Sequence, residues 1–277
     1  MNQEYLERLF SLKGKTAVVT GGGGVLCGTM SRALAHAGAR VVVLDIVPET
    51  AQKIVDDITS AGGEAIAIQC DVLDKASIEA SAQTALETFD RVDILINGAG
   101  GNKKQATTSP DLSFFDLSPE AIQWVFNLNF LGMLLPSQVF GQIMVEQGEG
   151  VILNISSMNA FQPLTRIPAY SAAKAAVSNF TQWLAVHMAQ EYSPDIRVNA
   201  LAPGFFLTEQ NRFLLTDPET GELTPRGKTI IDNTPMSKFG NPKDLLGAMF
   251  WLLSPASQFV TGVVVPVDGG FSAFSGV

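Results

Sequence analysis

Thr16-Ala-Val-Val-Thr20-Gly21-Gly22-Gly23-Gly24-Val25-Leu26-Cys27-Gly28 opens with a short, largely β-branched run that leads into four consecutive glycines. An amphipathic pattern follows over residues 26–38. A run with no polar alternation reads as a strand covered on both faces, because a half-exposed strand would alternate. Glycines at a strand-to-helix junction allow a tight turn and let a pyrophosphate approach the helix N-terminus. Glycine serves ordinary turns as well, so the reading needs a partner residue. Asp45 supplies one, at the end of the next apolar run and about twenty residues on, where a carboxylate accepts hydrogen bonds from an adenosine ribose. That carboxylate would repel a 2′-phosphate, which favours NAD(H) over NADP(H). With Pro48 and Glu49 behind it, Asp45 also suits a helix N-cap.

The same rhythm continues along the chain. Further buried-strand runs lie at 41–45, 65–70, 92–97, 151–156, 196–201 and 263–267. Helical patterns lie between them at 49–61, 75–89, 119–147, 169–191 and 242–253. Strand–helix alternation implies βαβ units, hence an α/β fold with one doubly wound parallel sheet of about seven strands and helices on both faces. No repeat, low-complexity tract or linker divides residues 1–277, so a single domain is expected. Residues 98–118 and 203–240 interrupt the alternation as long loops after strand C-termini, the edge where such sheets bind ligands. The second loop is expected to act as a substrate lid. Residues 1–15 read as a short helix with Tyr5, Leu6, Leu9 and Phe10 on one side.

Composition excludes several classes. With 46% hydrophobic and 16% charged residues among 277, the chain can bury a large core. A net charge of -9 leaves no basic footprint for nucleic acid. Cys27 and Cys70 are the only cysteines, so no disulfide framework exists and a reducing cytoplasm is expected. The N-terminus lacks an apolar signal region, and Asn129, Pro136 and Gln138 interrupt the apolar stretches before the ~20 residues of a membrane span. His36 and His187 each sit in a helical pattern, so no metal site is expected.

The chemistry concentrates in Tyr170-Ser-Ala-Ala-Lys174, with Ser157 upstream. Residues four apart share a helix face, so the Lys174 ammonium can stand beside the Tyr170 phenol. A phenol titrates near ~10, and a neighbouring cation lowers that value; three units take about 4 kcal/mol. A tuned tyrosine is a general acid or base for an alcohol proton. Taken alone, such a pair more often lies idle on a solvated face. Asp71-Val72 after the third strand and Asn97-Gly98-Ala99-Gly100 after the fourth extend a ligand track along the sheet edge.

Together these elements resemble the short-chain dehydrogenase/reductase family over essentially the full length. To the elements above the resemblance adds Asn129, Asn154-Ile-Ser-Ser157, Arg197-Val-Asn199-Ala, Pro203-Gly204 and Val267-Asp-Gly-Gly270. It implies that Ser157 hydrogen-bonds the substrate oxygen and that Tyr170 exchanges the proton. Lys174 would lower the Tyr170 pKa and hold the nicotinamide ribose, while Asn129 would position a water leading to bulk solvent. Cofactor contacts are implied for Gly21, Gly23, Gly24, Val25, Leu26, Asp45, Asp71, Val72, Asn97, Gly98, Ala99, Pro203 and Gly204, with Tyr170 and Lys174. A homotetramer built on 119–147, 169–191 and the C-terminal segment is implied too, with Leu128, Phe130, Met133, Leu134, Phe140, Trp183 and Met188 as apolar surface. Two departures stand out. Val25 and Cys27 fall on the second and third glycines of the usual turn, and Gly98 replaces the usual second Asn.

For the substrate, Asn102, Lys103 and Lys104 lie in a polar loop, Arg166 precedes Tyr170, and the 203–240 excursion adds Thr208, Asn211, Arg212 and Lys238. Basic and hydroxyl groups at one mouth suit an anionic, hydroxyl-rich substrate, although loop charges commonly just face solvent. Gly21–Gly28, Asn97–Asn102 and Pro163–Tyr170 resemble the branch of the family that acts on D-fructuronate and D-mannonate. The alternatives are another sugar-acid or polyol dehydrogenase of the gluconate 5-dehydrogenase kind, a 3-oxoacyl reductase, or a non-catalytic NAD-sensing regulator on the same fold.

Overall fold

The computed structural model describes residues 3–208 and 212–276. Helix α1 (Gln3–Phe10) precedes strand β1 (Thr16–Thr20), followed by α2 (Val25–His36), β2 (Arg40–Asp45), α3 (Pro48–Ser60) and β3 (Ala65–Gln69). Next come α4 (Lys75–Phe89), β4 (Ile94–Asn97), α5 (Pro119–Gln147), β5 (Gly150–Ile155), α6 (Pro168–Glu191) and β6 (Ile196–Pro203). The chain continues through α7 (Arg212–Leu215), α8 (Pro225–Asp232), α9 (Leu246–Leu253) and β7 (Val264–Val267).

All seven strands pair in parallel, in the order β3-β2-β1-β4-β5-β6-β7. Neighbouring side chains on one strand feed opposite cores, as the two-residue period requires. Val19, Val41, Val43, Ile94 and Ile96 pack with Met30 and Leu34 of α2 and Met249 and Leu252 of α9. Val18, Val42, Leu44, Leu95 and Ile152 pack with Ile78 of α4, Phe140 and Met144 of α5 and Leu184 of α6. The central strands β1, β2, β4 and β6 are largely apolar because both of their faces are buried, whereas the edge strands β3 and β7 are only partly buried.

Local signals set most boundaries. Asp74 caps α4 by accepting from the Ala76 amide at 3.0 Å, and Ser118 caps α5 by accepting from Ala121 at 3.2 Å. Gly148, at φ +81°, ends α5 in the left-handed conformation. β4 starts two residues later than the apolar run because the Gln147 side chain takes both the amide and the carbonyl of Val92. β6 runs two residues longer, since Ala202 and Pro203 pair with Pro266 and Val267. The excursion is not one loop: α8 begins at Pro225 behind Thr224, whose hydroxyl accepts from the Gly227 amide at 3.0 Å.

Helix α5 corrects one expectation. It is long and apolar enough to cross a membrane, by length and composition. Here it lies along the sheet, with Phe140 and Met144 fully buried.

Candidate active site

The strand order reverses between β1 and β4, and a cleft of about 540 Å³ opens at their carboxyl ends. Gly21, Gly24, Val25, Leu26 and Cys27 form one wall, and Asp45, Asp71 and Val72 form another. Gly98, Ala99, Gly100, Gly204 and Thr208 complete much of the rest. Gly21 adopts φ +62°, and a Cβ there would lie 2.9 Å from the Ala99 Cα, so the turn can touch the β4 loop only as glycine. Gly24 is the N-cap of α2, with no side-chain cap and no acid in the first turn. That leaves a helix N-terminus suited to an anion.

Asp45 ties this wall together. Its carboxylate accepts from the Gly23 amide at 3.0 Å and from the Val47 amide at 3.0 Å. Val47, not Asp45, is the N-cap of α3. Five residues expected at the cofactor are not walls of the cleft: Tyr170 and Lys174, described below, and Gly23, Asn97 and Pro203. A Cβ on Gly23 would meet Thr50 of α3 at 2.3 Å, so that glycine serves packing. The Asn97 side chain turns inward and donates to Ser137 and to Asn154, both at 2.9 Å. Pro203 is the last residue of β6 and is buried.

The proton-transfer candidates converge beside Gly100. A Cβ on Gly100 would lie 2.7 Å from Asn129 Oδ1 and 3.5 Å from Lys174 Nζ. Asn129, 1% exposed, donates to the Gly101 and Val125 carbonyls at 2.7 and 2.8 Å. Its Oδ1 is a buried acceptor without a protein partner. Lys174 is buried, donates to the Ile155 carbonyl at 2.8 Å, and stands 5.5 Å from the centre of the Tyr170 ring.

Burial pushes the Lys174 ammonium down to about 8. Burial also pushes the Tyr170 phenol up, opposed by the Ser157 hydroxyl, which favours the phenolate. The phenol thus lies above its ordinary value, where a lowering by Lys174 was expected. In this site Ser157, not Lys174, is the group that lowers it. Ser157 is held in turn by the Asn159 amide, which donates to its Oγ at 3.2 Å.

The expected substrate residues do not gather at one mouth. Lys103 lies over the Trp124 ring, 3.9 Å from its centre, so its charge is engaged by a π face. Asn102 donates to Thr107 at 3.0 Å, and Lys104 starts a short 3-10 turn. Arg166 adopts φ +76° and accepts from the Thr108 amide at 2.9 Å. It lines a separate cavity of about 530 Å³ with Thr108, Asn159, Ser171, Ala172 and Ala175. That cavity opens on the α6 face carrying Ala172 and Ala175, and neither Tyr170 nor Lys174 is among its walls. Thr208 reaches the cofactor cleft, and its carbonyl accepts from the Arg212 amide at 2.9 Å. Lys238 is exposed, and Asn211 lies outside the described residues.

Comparison with known proteins fits this geometry. Residues 15–219 match the short chain dehydrogenase family. The chain belongs to that family. The uncharacterized oxidoreductase UxuB of Bacillus subtilis is 50% identical over 276 residues, covering 96% of this chain and 98% of that protein. A 2-dehydro-3-deoxy-D-gluconate 5-dehydrogenase of Dickeya dadantii is 34% identical, covering 95% and 98%. A Haemophilus influenza crystal structure, provisionally named a D-mannonate oxidoreductase and containing bound NAD, superposes with a TM-score of 0.91 at 48% identity, covering 98% and 100%.

Within this short-chain dehydrogenase, several cleft residues carry no sequence signal specific enough to single them out. Ile46, Leu128, Phe205 and Phe206 are also walls. The Phe205–Phe206 pair, directly after Pro203-Gly204, is an apolar interruption of a polar excursion and could have drawn notice. Asn159 was legible only as a polar residue two places after Ser157. Its Oδ1 accepts from the Leu164 amide at 2.7 Å, pinning the loop before α6.

Proposed function

We propose that the protein is a cytoplasmic NAD(H)-dependent oxidoreductase that interconverts a ketone and a secondary alcohol on a sugar acid, D-fructuronate and D-mannonate foremost. The observation that carries the reading is the meeting of Ser157, Tyr170, Lys174 and Asn129 beside a cleft whose far wall holds Asp45. A regulator that only sensed NAD would need the cleft but not a buried lysine, whose charge is held against desolvation. The substrate class is supported by relatives named for aldonic acids and their keto derivatives. A second reading, reduction of a 5-keto acid, is favoured by the 34% and 32% identical relatives named for 5-position chemistry.

The residues fit the dinucleotide. The glycine turn and the uncapped start of α2 would hold the pyrophosphate, and Asp45 would hold the adenosine ribose. Asp71 and Val72 would flank the adenine, and Gly98 and Ala99 would line the path of the dinucleotide. Bound there, NAD supplies or accepts the hydride. The chain supplies the proton: Tyr170 gives it to the carbonyl oxygen in reduction and removes it from the alcohol in oxidation. Ser157 donates to that same oxygen, which steadies the developing charge. Lys174 holds the ribose hydroxyls, and the free Asn129 Oδ1 suits a bridging water toward Lys174. Phe206 and Thr208, which line the cleft, would form part of a lid over the substrate.

A homotetramer is proposed as well. Of the apolar residues considered for it, Met133, Phe140 and Met188 are intramolecular core. Trp183 is 55% exposed, between stacked Phe180 and His187. The experiment for the whole reading is NADH oxidation with fructuronate, tagaturonate and 5-ketogluconate, comparing wild type with Tyr170→Phe. Turnover on none of these, or equal turnover in the variant, overturns it.

A further inference from the structure

The floor of the cleft is the segment Gly98-Ala99-Gly100, and it is gripped from three sides. A Cβ on Gly98 would lie 2.1 Å from Cys27 Sγ and 2.9 Å from the Thr20 carbonyl oxygen. One on Gly100 would meet Asn129 of α5 at 2.7 Å, and one on Gly21 would meet the Ala99 backbone at 2.9 Å. Cys27 belongs to the first turn of α2 and is 5% exposed. Buried away from water its thiol is pushed up to about 12, so it stays neutral and acts as a small space-filling group.

We propose that Cys27 is a positioning residue whose thiol sets the separation between α2 and the Gly98–Gly100 segment, and with it the depth at which the cofactor lies. The proposal rests on the cofactor reading above. Non-bonded heavy atoms settle near 3.5–4.0 Å, so the thiol and any Cβ at position 98 exclude one another. Interiors are too tightly packed to absorb such an overlap without displacement. The Thr20 carbonyl blocks retreat on one side, leaving the thiol the cleft itself as an outlet. A side chain at 98 would therefore drive Cys27 into the volume the cofactor needs. The displaced segment would carry Gly100 against Asn129 and Lys174.

The test is a double-mutant cycle on the full chain. NADH affinity is measured by fluorescence titration, and melting is measured without cofactor, for wild type, Gly98→Ala, Cys27→Gly and Cys27→Gly/Gly98→Ala. Gly98→Ala is expected to weaken NADH binding by roughly tenfold or more, and the double variant to return to within about threefold of Cys27→Gly. The melting temperatures are expected to show the same rescue. A double variant as weak as Gly98→Ala, or a Gly98→Ala variant that binds like wild type, overturns the proposal. Should Gly98→Ala fail to fold, Cys27→Val decides. Its larger side chain is expected to weaken NADH binding, and wild-type affinity overturns the proposal. If the wild type itself binds no NADH, the cofactor reading fails, and the melting cycle alone still decides whether the two positions exclude each other.

Discussion

The Lys174 ammonium donates to the Ile155 carbonyl at 2.8 Å, so a buried cation on α6 is held by the last residue of β5. Among the described residues no carboxylate forms a salt bridge with it. A charge kept this way works against stability.

Lys174→Met should therefore separate the two. Burial lowers the folded-state value of Lys174 to about 8 from the 10.5 of an exposed lysine. Below pH 8 both folded and unfolded chains carry the proton, and the buried charge costs about 3 kcal/mol. Between pH 8 and 10.5 the unfolded chain binds more protons, so this group's contribution to stability rises with pH, and the penalty is gone above that window. Replacing Lys174 leaves the Ile155 carbonyl without its donor, so a net gain of roughly 1–3 kcal/mol at pH 7 is expected. Denaturant unfolding at pH 7 and at pH 10.5 should show a gain at the first that shrinks at the second, alongside a kcat lower by at least about a hundredfold.

Tyr170→Phe removes the proton donor without changing the cofactor cleft. It should lower kcat by on the order of 10²–10⁴ while leaving NADH affinity within about threefold. Equal losses in affinity and kcat would assign Tyr170 to binding instead.

Ser157→Ala carries a distinct pH signature. The Ser157 hydroxyl favours the Tyr170 phenolate, so its loss moves the phenol further up. In alcohol oxidation, where activity rises as the phenol ionises, the rising limb of the kcat profile should shift to higher pH. A profile that keeps its limb at lower amplitude would sink this assignment.

Asp45→Ser tests cofactor choice. Removing the carboxylate removes the repulsion toward a 2′-phosphate and the acceptor for the Gly23 amide. kcat/KM with NADPH should rise by about tenfold or more relative to NADH. An unchanged NADH/NADPH ratio would reduce Asp45 to a turn anchor.

Asp93→Ala probes the opposite edge of the sheet. Its carboxylate, 3% exposed, accepts from Lys15 at 3.0 Å, from Arg91 and from the Thr16 amide at 2.8 Å. Breaking such a cluster should cost about 3 kcal/mol in denaturant unfolding, with kcat per folded molecule unchanged because the cleft lies at the other strand ends. An unchanged midpoint would show that the cluster is solvated.

The strands, their parallel pairing and the sheet edge that carries the cleft were legible because each signal is local. A run such as Val41-Val-Val-Leu44 can be stable only if both faces are covered, and a row of glycines admits only a tight turn. The pairing of Tyr170 with Lys174 was legible for the same reason, since helix geometry alone puts them on one face. What failed depended on neighbours far along the chain. Lys103 meets Trp124, Arg166 is carried onto another face of α6, and Asn97 turns to Asn154, and no spacing announces any of these.

The sequence by itself determined the alternation of elements, the sheet edge that carries the cleft and the placing of Tyr170 beside Lys174, because backbone geometry and two periodicities suffice for those. Only the tertiary structure decided that desolvation raises Tyr170 with Ser157 opposing it, and that Cys27 and Gly98 compete for one volume. Dielectric surroundings and packed volume belong to the assembled fold, where segments distant in sequence first share a boundary.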